Sequence, residues 1–335
     1  MKQQFIYILI LTMAFSSCAQ QKKQEDNNMS AEQAHQMMEE LHKEVQYRNE
    51  KIYYDLKVFN GACNYKIWVN DMPVFAMYNN ARGELSFPIN TEILKSGKQT
   101  LKIRIFPFLD SNTKTFQDKL NKYAGLDIEV REMEWDVKER KFDYYPIFSY
   151  QTPREGKENL QDNPREFLFE DDNEELPYYE EEVTFEAKVP YNLKGWSKSV
   201  DLRKEKPDEL LKEVENYYQS LASDFDNKNV KSIAEKYLKK EKEIAQCFFH
   251  NEKEAKTRWN EDIIKEIIDS NSKAGKIEKY EIEYFGNGKV VALMRFPGKS
   301  PLYLTIQDED GSPDYYVYDI FLHRSKPGAP LEMIR

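Results

Sequence analysis

The spacing of apolar residues along the chain changes from that of a helix to that of a strand near residue 50. Within residues 31–50 apolar side chains recur every three or four positions, and Ser30 with Gln33 forms a capping box at their start. From residue 51 onward apolar and polar residues alternate, which is the pattern of a strand that buries one face. The pattern therefore predicts a helix over 31–50, followed by a β-rich region.

Residues 51–190 contain short alternating runs separated by turn residues, and this arrangement is typical of an antiparallel β-sandwich. The turn-flanked segments 69–71, 88–90 and 94–97 resemble small sandwich modules that are common in secreted bacterial proteins. The resemblance implies a fold and no activity. The predicted strands are 53–58, 65–69, 74–78, 85–89, 101–105, 128–137, 142–150 and 183–189.

The remainder of the chain is predicted to form an α+β domain at 207–335, after a linker at 191–206. Pro207 followed by two acidic residues is a helix start, and Asn287-Gly288 between two alternating runs predicts a hairpin turn. The predicted helices are 207–225, 229–248 and 252 to about 275, and the predicted strands are 279–285, 289–296, 302–307 and 315–322. Three helices followed by an antiparallel sheet resemble the NTF2-like or cystatin-like fold, whose members include enzymes and binding domains. The fold class predicted for the whole chain is therefore multi-domain, a sandwich plus an α+β unit.

The first 17 residues have the pattern of a secretory signal. Lys2 precedes an apolar run at 5–15, which is too short for a permanent transmembrane helix, and small residues follow it. Ser16-Ser17-Cys18 resembles the lipobox of bacterial lipoproteins, which implies that Cys18 is acylated and attaches the chain to a membrane. Residues 18–30 are polar and are predicted to be a flexible tether. The expected location is the cell envelope, at the outer membrane on its periplasmic or surface side.

Charge and cysteine content narrow the possible partners. The chain has 335 residues and a formal net charge of −10, which argues against a nucleic-acid partner because phosphates require a basic surface. Besides Cys18 it contains Cys63 and Cys247. In an oxidising compartment these residues could form a disulfide between the two domains or remain two buried thiols, and the sequence leaves both alternatives open.

An acidic stretch near the end of a predicted long loop, 152–182, is the most unusual segment. Two tyrosines lie among its eight carboxylates, and such a loop could hold a basic protein partner or a cation, or could simply be a solvated surface. We take a protein partner as the favoured functional interpretation. The candidate contact residues are Glu170, Asp171, Asp172, Glu174, Glu175, Tyr178, Tyr179, Glu180, Glu181 and Glu182.

Aromatic residues in the seventh predicted strand suggest a second kind of binding. Tyr144, Tyr145, Phe148 and Tyr150 could stack on sugar rings, although half of such a strand must face the core. A glycan-binding surface therefore remains an alternative to a protein partner.

Motifs for catalysis, metals and cofactors are weak in this sequence. Cys247 and His250 have CxxH spacing without a second ligand pair, and the glycine-containing segment 286–289 lacks the helix that a phosphate loop requires. The acidic turn 308–311 lacks the spacing of a calcium loop. An NTF2-like enzyme or small-molecule binder would need a pocket lined by His323 or Asp319. We therefore predict no cofactor, no metal and a non-enzymatic, lipid-anchored binding protein with an immunity-like or envelope-assembly role.

Overall fold

A computed structural model gives the fold of residues 29–335, with the exception of 111, 114, 122, 137, 153–175, 297 and 308–310. In this part of the chain the strands form four antiparallel sheets, and helices pack beside them. Cys18, the predicted signal and the predicted tether up to residue 28 lie outside the described residues, as do Glu170, Asp171, Asp172, Glu174 and Glu175. None of the described helices is long and apolar enough to cross a bilayer.

The first helix is shorter than the pattern predicts. Helix α1 spans Ala31–Glu39 with the predicted capping box, and a 3₁₀ turn continues it over Glu40–Glu44. At Val45 the backbone is already extended, with φ −71° and ψ 127°, so residues 45–50 are not helical. The buried residues of α1 and of the 3₁₀ turn, among them Ala34, Met38 and Leu41, face the helices of the C-terminal part.

All eight strands predicted between residues 51 and 190 are present. They are β1 Tyr53–Gly61, β2 Asn64–Val69, β3 Met72–Met77, β4 Gly83–Pro88, β5 Lys95–Phe106, β6 Gly125–Asp136, β7 Lys141–Gln151 and β8 Tyr179–Asn192. Sheet I has the strand order β4-β1-β6-β7, and sheet II has the order β3-β2-β5-β8. Apolar residues of the two sheets belong to one buried cluster, which includes Leu56 and Val130 of sheet I and Ile67 and Ile103 of sheet II.

Strand β8 corrects one predicted boundary. It begins at Tyr179, so the last four residues of the predicted loop 152–182 are in fact in a strand paired with β5. Tyr179 and Glu181 lie on the side of the sheet that also carries Ile103 and Ile105, and Glu180 and Glu182 lie on the other side.

Three helical segments are present in the C-terminal part as predicted, but the third ends at Ile268 instead of near 275, because the backbone is extended at Asp269 and Lys273–Ala274 form a strand. They comprise α2 Pro207–Asp226, α3 Val230–Cys247, and a third segment in which α4 Glu252–Thr257 continues as a π-helix over Arg258–Ile264 and as α5 Lys265–Ile268. A short 3₁₀ helix at Leu202–Lys204 precedes them. Asn229 caps α3 and Asn251 forms a capping box for α4, which satisfies N–H groups that have no partner within the helix.

The C-terminal strands do not form the single four-stranded meander that the sequence predicts. Strands β9 Lys273–Ala274, β12 Tyr303–Gln307 and β13 Pro313–Val317 form one sheet, whereas β10 Glu281–Phe285, β11 Val290–Met294, β14 Leu322–Arg324 and β15 Leu331–Met333 form another. The predicted strand 315–322 is therefore divided, because its first half pairs with β12 and Leu322 pairs with β11. The predicted turn at Asn287-Gly288 is confirmed, with positive φ at both residues.

The predicted linker 191–206 is packed between the two halves of the chain. Trp196 and Leu202 are buried, and Trp196 shares a cluster with Trp68 of sheet II and Phe285 of β10. Asp71, in the turn before β3, accepts hydrogen bonds from the backbone N–H groups of Gly286 and Asn287. Cys63 and Cys247 are both buried free thiols, so they form no disulfide in this structure.

Candidate binding surface on the β6–β7 hairpin

Strand β7 lies at the edge of sheet I, and exposed apolar side chains are concentrated on it and on the end of β6. Five of the large apolar residues that are exposed in the described chain are Trp135, Phe142, Tyr144, Tyr145 and Ile147. Soluble proteins usually bury such side chains or scatter them singly, so a group of five at one sheet edge marks a candidate interaction surface.

Three hydrogen bonds to Asp136 hold the turn that joins the two strands. The carboxylate of Asp136 accepts hydrogen bonds from the N–H groups of Lys138 and Glu139, at 2.8 and 3.0 Å, and its carbonyl accepts one from Arg140. Residues directly opposite each other on β6 and β7 therefore stay in fixed register, with Trp135 facing Phe142 and Glu134 facing Asp143.

One face of the hairpin is aromatic. Met133 pairs with Tyr144 and Trp135 with Phe142, so these four side chains share a face. The rings of Trp135 and Phe142 meet edge to face with centroids 5.0 Å apart, and Trp135 keeps 48% of its surface exposed.

The opposite face of the hairpin is acidic. Glu132 pairs with Tyr145 and Glu134 with Asp143, so three carboxylates and one exposed ring share that face. Lys141 lies on the same face, 3.8 Å from Asp143, and Glu132 interacts with the hydroxyl of Tyr54 on β1. Neither Glu132 nor Glu134 has an ion pair within the described chain. The carboxylates on this face therefore outnumber its cations, and the face has a net negative charge.

A buried ion pair fixes the aromatic face to the neighbouring strand β1. Arg131 donates two hydrogen bonds to the carboxylate of Asp55, at 3.0 and 2.5 Å, and one to the hydroxyl of Ser86 on β4. The bonds to Asp55 raise the pKa of Arg131, so it is charged at all physiological pH values. Its guanidinium lies 4.2 Å from the ring centre of Tyr144 and covers one side of that ring.

Ring contacts connect the hairpin to the C-terminal helices. Phe142 meets Tyr53, and Tyr53 meets Phe249 with ring centroids 5.7 Å apart. Phe249 is fully buried and has a φ of +53°, a strained conformation for a bulky residue. The hydroxyl of Tyr53 also donates to the carbonyl of Phe248, and burial raises its pKa to about 12. The exposed hairpin is thus supported from behind by the end of α3.

Residues 178–182, the part of the predicted acidic contact that the structure describes, lie beside the C-terminal end of β7. Tyr150 of β7 and Tyr179 of β8 both donate a hydrogen bond to one carboxylate oxygen of Glu181, and Phe148 meets Phe185 of β8. Burial raises the pKa of both tyrosines, that of Tyr179 to about 12.

The remaining predicted contact residues, Tyr178, Glu180 and Glu182, differ in how far they are free to bind a partner. Glu180 is paired with Arg104 of β5 at 2.5 Å, and the ring of Tyr178 lies over the same guanidinium at 5.0 Å. Glu182 is exposed and lies opposite Lys102 of β5. The acidic groups at 180–182 are therefore balanced by nearby cations or hydroxyls to a greater extent than the sequence suggests.

The four aromatic residues considered for glycan stacking do not form one flat surface. Tyr144 and Tyr145 are exposed on opposite faces of β7, whereas Phe148 and Tyr150 are half-buried against β8. One side of Tyr144 is covered by Arg131, and the neighbouring rings of Trp135 and Phe142 are inclined at 70°. The four rings therefore do not form one continuous flat surface.

Of the residues considered for catalysis, Cys247 and His323 are buried and His250 is half-buried. Cys247 is fully buried, which raises its pKa to about 12, and burial lowers the pKa of His250. His323 is buried with its Nδ1 2.6 Å from the hydroxyl oxygen of Ser199, and burial lowers its pKa to about 4. Its Nε2 has no hydrogen-bond partner, so no third group orients the pair. Asp319 is exposed. The described residues include no cluster of three or more side chains that could bind a metal.

A groove of about 470 Å³ lies between α1 and α3, with Met37, Leu41 and Leu238 along it. The charged groups at its rim are paired with each other: Lys242 with Glu44 at 2.9 Å, and Lys43 with Glu40 at 2.7 Å. Because these charged groups already have partners, the groove is a weaker candidate for a binding site than the hairpin.

Comparisons with known proteins found no matching family model, no similar curated protein and no similar solved structure. The candidate surface consequently depends on the geometry of this chain alone. Sequence reasoning missed Trp135 and Phe142, although the alternation of Met133, Trp135 and Phe142 with acidic residues was a signal for a hairpin with two different faces.

Proposed function

We propose that this protein is a non-enzymatic binding protein whose partner is another protein, which covers the β6–β7 hairpin. The observation that carries the proposal is the exposure of Trp135, Phe142, Tyr144 and Tyr145 at a sheet edge. Aromatic side chains on a rigid support lose little conformational entropy when they are covered, and they are enriched at the centres of protein interfaces. The inclined rings favour a protein surface over a glycan.

The proposal includes the cell-envelope location. The lipobox resemblance at Ser16-Ser17-Cys18 supports attachment through a lipid on Cys18, with the described domains in water beside an outer membrane. At that location an immunity-like protein that neutralises a delivered protein, or an envelope-assembly factor, would meet its partner as a folded surface or an extended segment.

The proposal also includes the finer fold assignments. Shared buried residues of sheets I and II support a β-sandwich, and helices α2, α3 and the third helical segment followed by antiparallel strands support an NTF2-like unit. The division of the C-terminal strands into two sheets departs from the simplest form of that fold. An NTF2-like enzyme is the less favoured alternative, because His323 is buried and has no orienting third group.

Site-specific photo-crosslinking in the native cells tests the proposed surface. A photoreactive residue placed at Tyr145, which is 50% exposed, is expected to give a discrete adduct with another protein. The same residue at Tyr315, which is 59% exposed on β13, is the matched control and should give none. The adduct should disappear when Trp135→Ser is introduced and should persist with Tyr47→Ser, an equally exposed aromatic position on another part of the surface.

Two results would contradict the proposed function. The first is equal adducts at Tyr145 and Tyr315, and the second is an adduct that contains only a second copy of this chain. Circular dichroism and the midpoint of thermal unfolding of Trp135→Ser establish that the variant remains folded, which its exposed position predicts.

A further inference from the structure

None of the described strands covers the outer edge of β7 along its first five residues. Sheet I ends at β7, and none of the described strands pairs with its outer edge. Edge strands present unpaired N–H and C=O groups that can pair with another chain. The other half of β7 is less suitable, because Pro146 lacks an N–H and the register of β6 and β7 shifts between Val130 and Arg131. The regular free edge is therefore Lys141 to Tyr145.

Other long edges of the two N-terminal sheets differ from this one. Strand β8 is the edge of sheet II, and its outward positions alternate charged residues, Glu180, Glu182, Glu186 and Lys188. Charges of this kind are a common protection against strand pairing. The first five residues of β7 carry three aromatic side chains and two charged ones, Lys141 and Asp143, which lie 3.8 Å apart and have opposite charge. This edge is therefore less protected by charge than β8 is.

We propose that the partner segment is an extended strand that pairs with Lys141 to Tyr145 and alternates apolar with basic residues; this inference rests on the proposed function. A strand added to β7 would continue the two faces of the hairpin. Its residues beside Phe142 and Tyr144 would extend the aromatic face and must be apolar. Its residues on the other side would lie next to Lys141, Asp143 and Tyr145, with Glu132 and Glu134 one strand further away. The net charge of these groups is negative, and lysine or arginine in the added strand balances it.

The spacing of apolar and basic residues in the partner segment follows from the geometry of the hairpin. Because opposite residues of antiparallel strands share a face, aromatic and acidic positions alternate across β6 and β7 with a period of two. A helical segment has a period of 3.6 and cannot present basic and apolar groups in that order along a strand edge. Loop contacts would satisfy the side chains but leave the backbone groups of the edge unpaired.

Four synthetic peptides of about nine residues test the inference, each added to the purified chain at low salt. The probe alternates valine with lysine. The second peptide has the same composition with all valines before all lysines, the third replaces lysine by glutamate, and the fourth carries N-methyl groups on every other backbone nitrogen of the probe. Binding is measured by the fluorescence anisotropy of a dye on each peptide.

The alternating probe should bind at least about ten-fold more tightly than each of the other three. The block peptide is the essential control, because non-specific attraction of lysines to an acidic protein would give both peptides equal affinity. Glu132→Gln combined with Glu134→Gln should weaken the probe by about ten-fold. Glu186→Gln, an exposed glutamate on β8, should leave the affinity unchanged.

Several results would overturn the inference: equal binding of the alternating and block peptides, unchanged binding of the N-methylated peptide, or no effect of the hairpin substitutions. Trp135 gives a second readout, since it is exposed whereas Trp68, Trp196 and Trp259 are buried, and a blue shift of tryptophan emission should accompany binding. If crosslinking at Tyr145 finds a partner while the peptides fail, the proposed function stands and the strand-pairing inference falls.

Discussion

Glu92 allows a quantitative prediction about the packing between the two halves of the chain. Its side chain is buried, and both carboxylate oxygens lie 2.7 Å from the hydroxyl of Thr91. Burial raises the pKa of Glu92 from 4.5 to about 7, against the opposing effects of the Thr91 hydrogen bond and of Arg335. The folded protein therefore keeps this carboxyl protonated at pH values where the unfolded chain has lost the proton.

The direction of the pH effect follows from proton binding. Between pH 4.5 and pH 7 the folded chain binds more protons at Glu92 than the unfolded chain does, so this residue makes stability fall as pH rises. The contribution is fully present below pH 4.5 and is lost once pH passes about 7. Since one pKa unit corresponds to 1.36 kcal/mol, the total loss is about 3 kcal/mol.

Glu92→Gln removes the ionisable group and keeps its shape. We expect the variant to unfold with a free energy close to wild type at pH 5 and to be about 2–3 kcal/mol more stable than wild type at pH 8. Urea unfolding followed by tryptophan fluorescence at both pH values measures the difference. Glu186→Gln is the matched control, because Glu186 is exposed on β8.

A difference between Glu92→Gln and wild type that is the same at pH 5 and pH 8 would refute the reasoning. That result would mean that Glu92 is ionised in the folded protein throughout, with Arg335 outweighing the cost of burial. Arg335 is itself buried, and its three side-chain nitrogens make no hydrogen bond within the described chain. Its ion-pair partner among the described residues is Glu243, at 3.4 Å.

Three other substitutions test separate parts of the structure. His323→Gln should reduce the loss of stability below pH 6.5 by about 2–3 kcal/mol in acid urea titrations, because burial holds the pKa of His323 at about 4 and the unfolded chain takes up the proton first. Asp55→Ala should lower the free energy of unfolding by about 2–4 kcal/mol by leaving Arg131 buried without its partner, and adding Arg131→Met should recover part of that loss in a double-mutant cycle. Trp259→Phe removes the 2.9 Å hydrogen bond from the indole N–H to His35 and should cost about 1–2 kcal/mol, with faster amide exchange confined to residues 31–44 if α1 detaches locally.

Strands and helices could be predicted because each buries one side at a regular interval. The position of β8 shows where this reasoning stops. The alternation of Tyr179, Glu181 and Val183 on one face was visible in the sequence, but an inward glutamate argues against a strand. The hydroxyls of Tyr150 and Tyr179 satisfy Glu181, and the first of these comes from a strand 31 positions away.

The division of 315–322 has a different cause. Local alternation predicts that a residue is in a strand but carries no information on which strand it pairs with. Tyr315 joins β12, and Leu322 lies between β11 and β15, so a single alternating run serves two sheets. Pairing of this kind depends on long-range packing, which one sequence does not reveal.

The two strands of the candidate surface could be predicted from the sequence, but the position of β7 at the edge of sheet I could not. From the sequence, half of the aromatic residues of β7 were expected to face the core. In the structure the tip of the hairpin, from Glu134 to Asp143, extends beyond Tyr53, the first residue of β1, and none of the described strands lies on the outer side of β7. Trp135, Phe142 and Tyr145 thus remain exposed at a cost in solubility that charged residues would avoid, as they do on β8. A partner that covers the hairpin in the cell removes that cost, and this is the physical reason to look for one there.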